Sequence, residues 1–269
     1  MCRYILSSDN ITIKKVSRLL ISKKYREKEK RFVLEGARLC GDAVDSDVLI
    51  DKFLYTEKAQ CKYRKIIDKI KAVAKESYLI SEKILGYISD TQTPQGLVCV
   101  CIHKENLFDL DKIKDLKNLI ALENMQDPTN LGTIFRTAEA LGIGGVILSD
   151  DCCDVFNPKV LRGSMGAIFR IPIYIAKDIK DVLTLLEGKF KTYAAVPDKA
   201  AGDIKKADFS SPCLVVIGNE GNGIKEATIK ACKEKVMIPM LGRAESLNAS
   251  VAASIIMWEM VRGGLCERS

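Results

Sequence analysis

The side chains whose types and spacing point to chemistry gather in three segments: Asn130 and Arg136 in "NMQDPTNLGTIFRTAEALG", Glu220 in "IGNEGNGI", and Ser246 and Asn248 in "LGRAESLNAS". Arginine offers a planar fork of donors with a permanent positive charge, which suits a phosphate or an oxygen that gains negative charge during a reaction. It has no lone pair to spare, so it is a poor proton acceptor. Carboxamides, a hydroxyl and a carboxylate supply the hydrogen bonds that would orient such a group. The single imidazole, His103, stands outside all three segments, so they contain no histidine for general-base work. Taken alone, each residue also has an ordinary structural explanation. Arg136 falls on the side of the helix away from the apolar face made by Leu131, Ile134, Phe135, Ala138 and Leu141, as a solvated charge would. Asn130, Ser246 and Asn248 stand where helices begin and would serve as caps, and Glu220 fits a plain turn. Gly218, Gly221 and Gly223 let backbone pass close to a ligand. Their order is neither the dinucleotide fingerprint nor a P-loop, which disfavours a dinucleotide-dependent oxidoreductase.

Elements of definite type must hold these segments. "NLIALE", "GGVILS", "IPIYIA", "KTYAAV", "CLVVIG" and "KVMIPM" are apolar runs with little polar alternation, the pattern of strands covered on both faces. Between them "LGTIFRTAEALG", "NPKVLRGSMG", "IKDVLTLLEG", "GIKEATIKACK" and "NASVAASIIMWEMVR" have helical spacing. The fold class is therefore α/β, with a mainly parallel, doubly wound sheet and crossover helices. Ligands in such folds lie beyond the carboxyl ends of the strands. All three polar segments fall there, so they should converge. Small residues after Asn248 would let that last helix approach other backbone closely, as at a subunit interface.

The first part is a smaller α/β unit. "ITIKKVSRLL" and "KYRKIIDKIKAVA" have helical spacing, while "DKFLYT", "SYLI" and "QGLVCVCI" are strand-like. The charged stretch that follows marks a linker. The expected division is 1–105, a linker at 106–117, and 118–269. Residues 1–105 hold 21 Lys and Arg against 14 Asp and Glu, whereas residues 106–269 hold 21 of each. The whole excess of +7 thus lies in the first part. Residues 14–31 carry nine basic and two acidic side chains, a footprint suited to phosphate backbone. Lys14, Lys15, Arg18, Lys23, Lys24 and Arg31 are the candidate contacts to a nucleic-acid backbone; a solvated helix face is the plain alternative. The ten cysteines are scattered without Cys-x-x-Cys, and with one histidine no zinc site or other metal is expected. Free thiols of a cytoplasmic protein are expected instead. No apolar run is long enough to span a bilayer, and because "MCRYILSSDN" lacks an apolar core, no signal peptide is expected.

The order and spacing of the three polar motifs closely resemble the SpoU (TrmH-like) branch of the SPOUT RNA methyltransferases, over residues 118–262. The first part more weakly resembles the RNA substrate-binding domain that precedes the catalytic domain in many rRNA-directed members. The resemblance implies a trefoil-knotted α/β SPOUT catalytic domain, a homodimer, S-adenosyl-L-methionine as methyl donor and a ribose 2′-hydroxyl of RNA as acceptor. It implies donor contacts at Gly218, Ile238 and Leu247. It places acceptor binding and catalysis at Asn130, Arg136, Glu220, Ser246 and Asn248. The family commonly assigns Arg136 as general base; the chemistry of a guanidinium favours phosphate binding or stabilisation of the developing alkoxide instead. Large-subunit (23S) rRNA is the expected substrate. The alternatives are a tRNA 2′-O-methyltransferase, an antibiotic-resistance rRNA methyltransferase, and an RNA-binding assembly factor without turnover.

Overall fold

A computed structural model describes residues 3–103, 108–210 and 212–265. Contacts divide the chain into two compact units: Met1–Glu105 with Asp154–Phe169, and Asn106–Cys153 with Arg170–Ser269. In chain order the elements of the first stretch are β1 (Arg3–Ile5), α1 (Ile11–Ile21), α2 (Lys23–Glu29), β2 (Arg31–Glu35), α3 (Ala37–Asp45), β3 (Ile50–Tyr55), α4 (Glu57–Lys62), α5 (Arg64–Val73), β4 (Glu76–Ile80), α6 (Glu82–Tyr87) and β5 (Leu97–Ile102). There follow α7 (Leu110–Ile113), β6 (Leu119–Leu122), α8 (Pro128–Ala140), β7 (Gly145–Ser149), α9 (Pro158–Ser164), β8 (Ile173–Ala176) and α10 (Ile179–Leu185). The last are β9 (Lys191–Ala195), β10 (Gly202–Asp203), β11 (Cys213–Ile217), α11 (Glu226–Ala231), β12 (Glu234–Met237) and α12 (Ala249–Leu265).

The smaller unit is a mixed sheet in the order β1-β4-β3-β5-β2, with β5 antiparallel to both β3 and β2. Its first helix begins at Asn10, whose side chain accepts from Thr12 N at 2.8 Å, and buries Ile13, Val16 and Leu19. Spacing of three turns the same face inward each time. Residues 154–169 lie between β7 and β8 in sequence, where a crossover helix is expected to cover the parallel sheet. They do form α9, but Leu161, Phe156, Ile168 and Phe169 join the smaller unit's core. Phe156 stacks on Phe32 with ring centroids 4.5 Å apart, and Arg26 Nε donates to Asp154 Oδ2 at 2.6 Å. Periodicity fixes that a helix has an apolar face, not which sheet receives it.

The larger unit holds seven strands in the order β10-β12-β9-β11-β6-β7-β8, every pairing parallel. Every residue of β6, β7 and β11 is buried, which is what continuous apolar strands require. From β6 the chain runs outward through β7 and β8, then crosses to the opposite side for β9. The reversal falls between β6 and β11, the position at which open α/β sheets form their ligand crevice. The last residues of these two strands, Leu122 and Ile217, are register partners. Residues expected as a linker contribute to this unit: Ile113 of α7 is fully buried, with Phe108, Leu110 and Leu116 packed against the same core. Their three-residue spacing is diluted in sequence by intervening charges.

Among the described residues eight cysteines are free, six of them at 40, 99, 101, 152, 213 and 61, the last exposed and the others buried. Burial pushes the Cys213 and Cys232 thiols up to about 12, which removes the reactive thiolate at neutral pH. Brief alkylation of the native protein should therefore label Cys61 before Cys213 or Cys232, as read by peptide mass spectrometry. Among the described residues no helix is long and apolar enough to cross a membrane, and no group of three or more His, Cys, Asp or Glu is placed to hold a metal.

Candidate functional site

Helix α8 starts at Asp127, whose Oδ1 accepts from Thr129 N at 2.7 Å, with Pro128 in the first helical position. Asp127, not Asn130, is thus the cap, because proline needs the residue before it to be non-helical. Asn130 is released for another task and is buried, 6% exposed. Its Nδ2 donates to Glu220 Oε1, and its Oδ1 accepts from Asn248 Nδ2 at 3.0 Å. Asn248 Oδ1 meanwhile accepts from Ser250 N at 2.9 Å, Ser250 Oγ at 2.6 Å and Val251 N at 3.3 Å. One carboxamide therefore caps α12 and fixes Asn130 at once. Three segments separated by 90 and 118 residues are joined by a line of side-chain hydrogen bonds, Glu220 to Asn130 to Asn248.

The loop between β11 and α11 is pinched at its neck. Asn219 and Gly223 exchange backbone hydrogen bonds of 3.2 and 2.9 Å, and Gly223 has φ of +65°. Asn219 Oδ1 also accepts from Gly221 N at 2.7 Å. The carbonyl carbon of Gly223 lies 2.2 Å from where a Cβ on Gly218 would stand, so only glycine fits there. Beside this loop opens a cavity of about 430 Å³. Gly218, Glu220, Ile238, Ser246 and Leu247 all line it, with apolar walls from Ile217, Val236 and Ile256. Size and an apolar lining with few polar groups are what small-ligand sites have. Burial raises the Asp151 carboxyl, but hydrogen bonds from Ser149 and from Lys225, the residue after this loop, outweigh it and hold the group below its ordinary value. The same contact raises Lys225, so this pair stays charged at neutral pH.

Not every expected residue is gathered here. Arg136 is exposed and has no hydrogen bond or ion pair among the described residues. It stands six residues beyond Asn130, about 9 Å along the helix axis, and does not line the cavity of its own chain. The basic candidates of the smaller unit lie on α1, α2 and the start of β2. Lys14 pairs with Asp9 at 2.9 Å, Lys23 with Glu27 at 4.0 Å and Arg31 with Asp51 at 2.8 Å, while Arg18 lies 4.2 Å over the Tyr25 ring. Lys15 and Lys24 are exposed without an ion-pair partner among the described residues. The Lys14 and Lys23 pairs are exposed, so they are weak and exchange readily for phosphate, whereas the Arg31–Asp51 pair is partly buried. Arg26, from the same basic run, is instead 4% exposed and structural, with Nη1 on the Leu19 and Leu20 carbonyls at 2.5 and 3.1 Å.

Sequence alone does not single out Glu123 or Asn219. Glu123 follows β6 and is fully buried, yet a lone Glu at a strand end looks like any solvated carboxylate. Its partners, Lys225 and Thr228, are about a hundred residues away.

Residues 117–258 match the SpoU rRNA Methylase family, and residues 10–99 match the MRM3-like substrate binding domain. The chain is 29% identical over 242 residues to the 23S rRNA (guanosine(2553)-2′-O)-methyltransferase of Bacillus subtilis, covering 90% of this chain and 92% of that one. It is 28% identical over 275 residues to the 23S rRNA (uridine(2479)-2′-O)-methyltransferase of Streptomyces viridochromogenes, covering 98% and 94%. Among solved structures, an AdoMet-bound rRNA methyltransferase from Sinorhizobium meliloti superposes with a TM-score of 0.86 at 29% identity, covering 97% of this chain and 98% of that one.

Proposed function

The chain belongs to the SpoU rRNA methylase family, and from that premise we propose that it transfers a methyl group from S-adenosylmethionine to a ribose 2′-hydroxyl of large-subunit rRNA. The observation that carries this is the apolar cavity under the pinched Gly218–Gly223 loop, lined by Glu220, whose carboxylate is hydrogen-bonded to Asn130 and through it to Asn248. The cavity fits an adenosyl group: apolar walls for a flat ring, and loop backbone at Gly218 for its polar edge. Gly218, Ile238 and Leu247 would hold the donor, which supplies an electrophilic methyl group when bound.

The chain's own task is to hold the acceptor oxygen in line and to stabilise it as its proton passes to solvent water. Fixing that geometry contributes several kcal/mol. Asn130, tied at both ends of its carboxamide, cannot swing. It holds the Glu220 carboxylate against the cavity, where Glu220 is placed to accept a hydrogen bond from the acceptor ribose. Ser246 lines the same cavity and offers a hydroxyl. Arg136, free to move, supplies the fork that grips the acceptor's phosphate or the developing alkoxide; being always protonated, it does not take the proton.

A trefoil knot and a homodimer complete the proposal. In support of the knot, the cavity walls come from three successive C-terminal segments around residues 195–197, 217–224 and 236–249. In support of the dimer, Val251 and Trp258 are 47% and 49% exposed on α12. With Ile255 they make an apolar stripe at helical spacing. Helix α8, which carries Arg136, is tied to α12 by Ser254 Oγ on Thr137 Oγ1 at 3.4 Å. Cytoplasmic action on ribosomal RNA agrees with the free thiols.

The smaller unit is proposed to grip RNA phosphates through Lys15, Arg18 and Lys24, with Lys14, Lys23 and Arg31 beside them. Deleting residues 1–105 would be a poor test, because Phe156 and Leu161 would lose their core. Charge reversal at Lys15, Arg18 and Lys24 is better. It should weaken rRNA binding and flatten the plot of log affinity against log salt by about two units of slope, with S-adenosylmethionine affinity unchanged. An unchanged slope would remove these residues from the interface.

A further inference from the structure

Glu123 leaves β6 at the point where β11 also ends. Both of its carboxylate oxygens are engaged: Oε2 accepts from Lys225 N and Oε1 from Thr228 Oγ1, each at 2.7 Å. A fully buried carboxylate is costly unless it is hydrogen-bonded throughout, and here it is. Helix α11 has no side-chain cap from its own N-cap residue, Lys225; the carboxylate of Glu123 reaches across from another element and satisfies that end. Its neighbour Asn124 holds the other end of the same loop, its carbonyl accepting from Asn219 Nδ2 at 2.9 Å. Glu123 N in turn donates to Ile217 O at 2.9 Å. Two consecutive residues thus grip both flanks of residues 218–224, the loop that walls the cavity and carries Glu220 to Asn130.

We propose that Glu123 is a positioning residue for methyl transfer: its buried carboxylate, with the Asn124 carbonyl, clamps the 218–224 loop and so sets the donor cavity and the place of Glu220. It touches neither donor nor acceptor and acts through the loop. Thr228, as the hydroxyl on one of its oxygens, shares the task. This rests on the cavity being the S-adenosylmethionine site.

The test is S-adenosylmethionine affinity by titration calorimetry on the full chain, for Glu123→Gln, Glu123→Asp and Thr228→Val, well below the melting temperature of each. Glu123→Gln removes the charge: its amide oxygen can still accept from Lys225 N, but its NH2 then meets the Thr228 hydroxyl, which must turn from donor to acceptor, and both charge-assisted bonds are lost, so its Kd should rise about tenfold. Thr228→Val removes one of the two bonds and should cost less, a few-fold. Glu123→Asp keeps the charge on a shorter stem and should fall between wild type and Glu123→Gln. A role confined to general stability would lower melting temperatures and leave Kd of the folded variants unmoved. Wild-type binding that persists within twofold in folded Glu123→Gln and Thr228→Val would overturn the proposal alone. Absence of binding by the wild-type chain would overturn the cavity assignment and the proposal with it. Were Glu123→Gln to misfold, Thr228→Val, which is close in shape, decides the matter.

Discussion

Gly218→Ala is expected to abolish S-adenosylmethionine binding, although it adds a single methyl group. A Cβ at this position would stand 2.2 Å from the carbonyl carbon of Gly223, 2.3 Å from its oxygen and 2.5 Å from Ile224 N. All three are backbone atoms, so no side chain can rotate to make room. The neck must open, and opening it breaks the paired Asn219–Gly223 hydrogen bonds that close the loop. Glu220 would then be carried away from Asn130. Loss of two backbone hydrogen bonds and of the wall they shape should raise Kd at least about a hundredfold. Calorimetry checks this directly, with circular dichroism to show that the sheet remains. Near-normal binding would mean that the donor lies elsewhere.

Arg136→Ala should have the opposite signature. Its guanidinium touches nothing that builds the cavity, so donor affinity should stay within about twofold of wild type. Methyl transfer should fall by about a hundredfold to a thousandfold, the loss typical when a preorganised donor to a developing oxyanion is removed. Arg136→Lys keeps the charge but loses the planar fork, and should recover only a small part of the rate. Full activity in Arg136→Lys would show that charge alone suffices. Because Arg136 stands outside its own chain's cavity, mixing Arg136→Ala with Gly218→Ala protomers is informative. Recovered activity would place the arginine on one protomer and the donor on its partner. No recovery would place both on one chain.

Much of this was legible in residue order. Continuous apolar strands at 119–122, 145–149 and 213–217 announced a sheet covered on both faces, and parallel pairing follows from that covering. The meeting of three polar segments was legible too, since each follows a strand of one sheet. Which polar atom meets which was not. Asn130 looked like a cap because Asp127 and Asn130 are both capping types within one turn. The proline between them decides it, through its restriction of the preceding residue. The anchoring role of Glu123 was invisible, because its partners lie on α11 and only the β6–β11 register brings them near. The packing of 154–169 was hidden for a related reason: Phe156 and Leu161 mark an apolar face, while its recipient is Phe32 and its neighbours, far away in sequence. The basic run at 14–31 was visible as charge. Its division into a buried structural Arg26 and exposed lysines depends on Asp154, again from a distant segment.

A map of ribose methylation in cells with and without this protein tests whether it methylates large-subunit rRNA. Nucleotide-resolution mapping of 2′-O-methyl groups across ribosomal and transfer RNA should lose a modification in large-subunit rRNA when the protein is absent. Wild-type protein should restore it and the Arg136→Ala variant should not. An unchanged large-subunit map, or a loss confined to tRNA, would contradict the assignment.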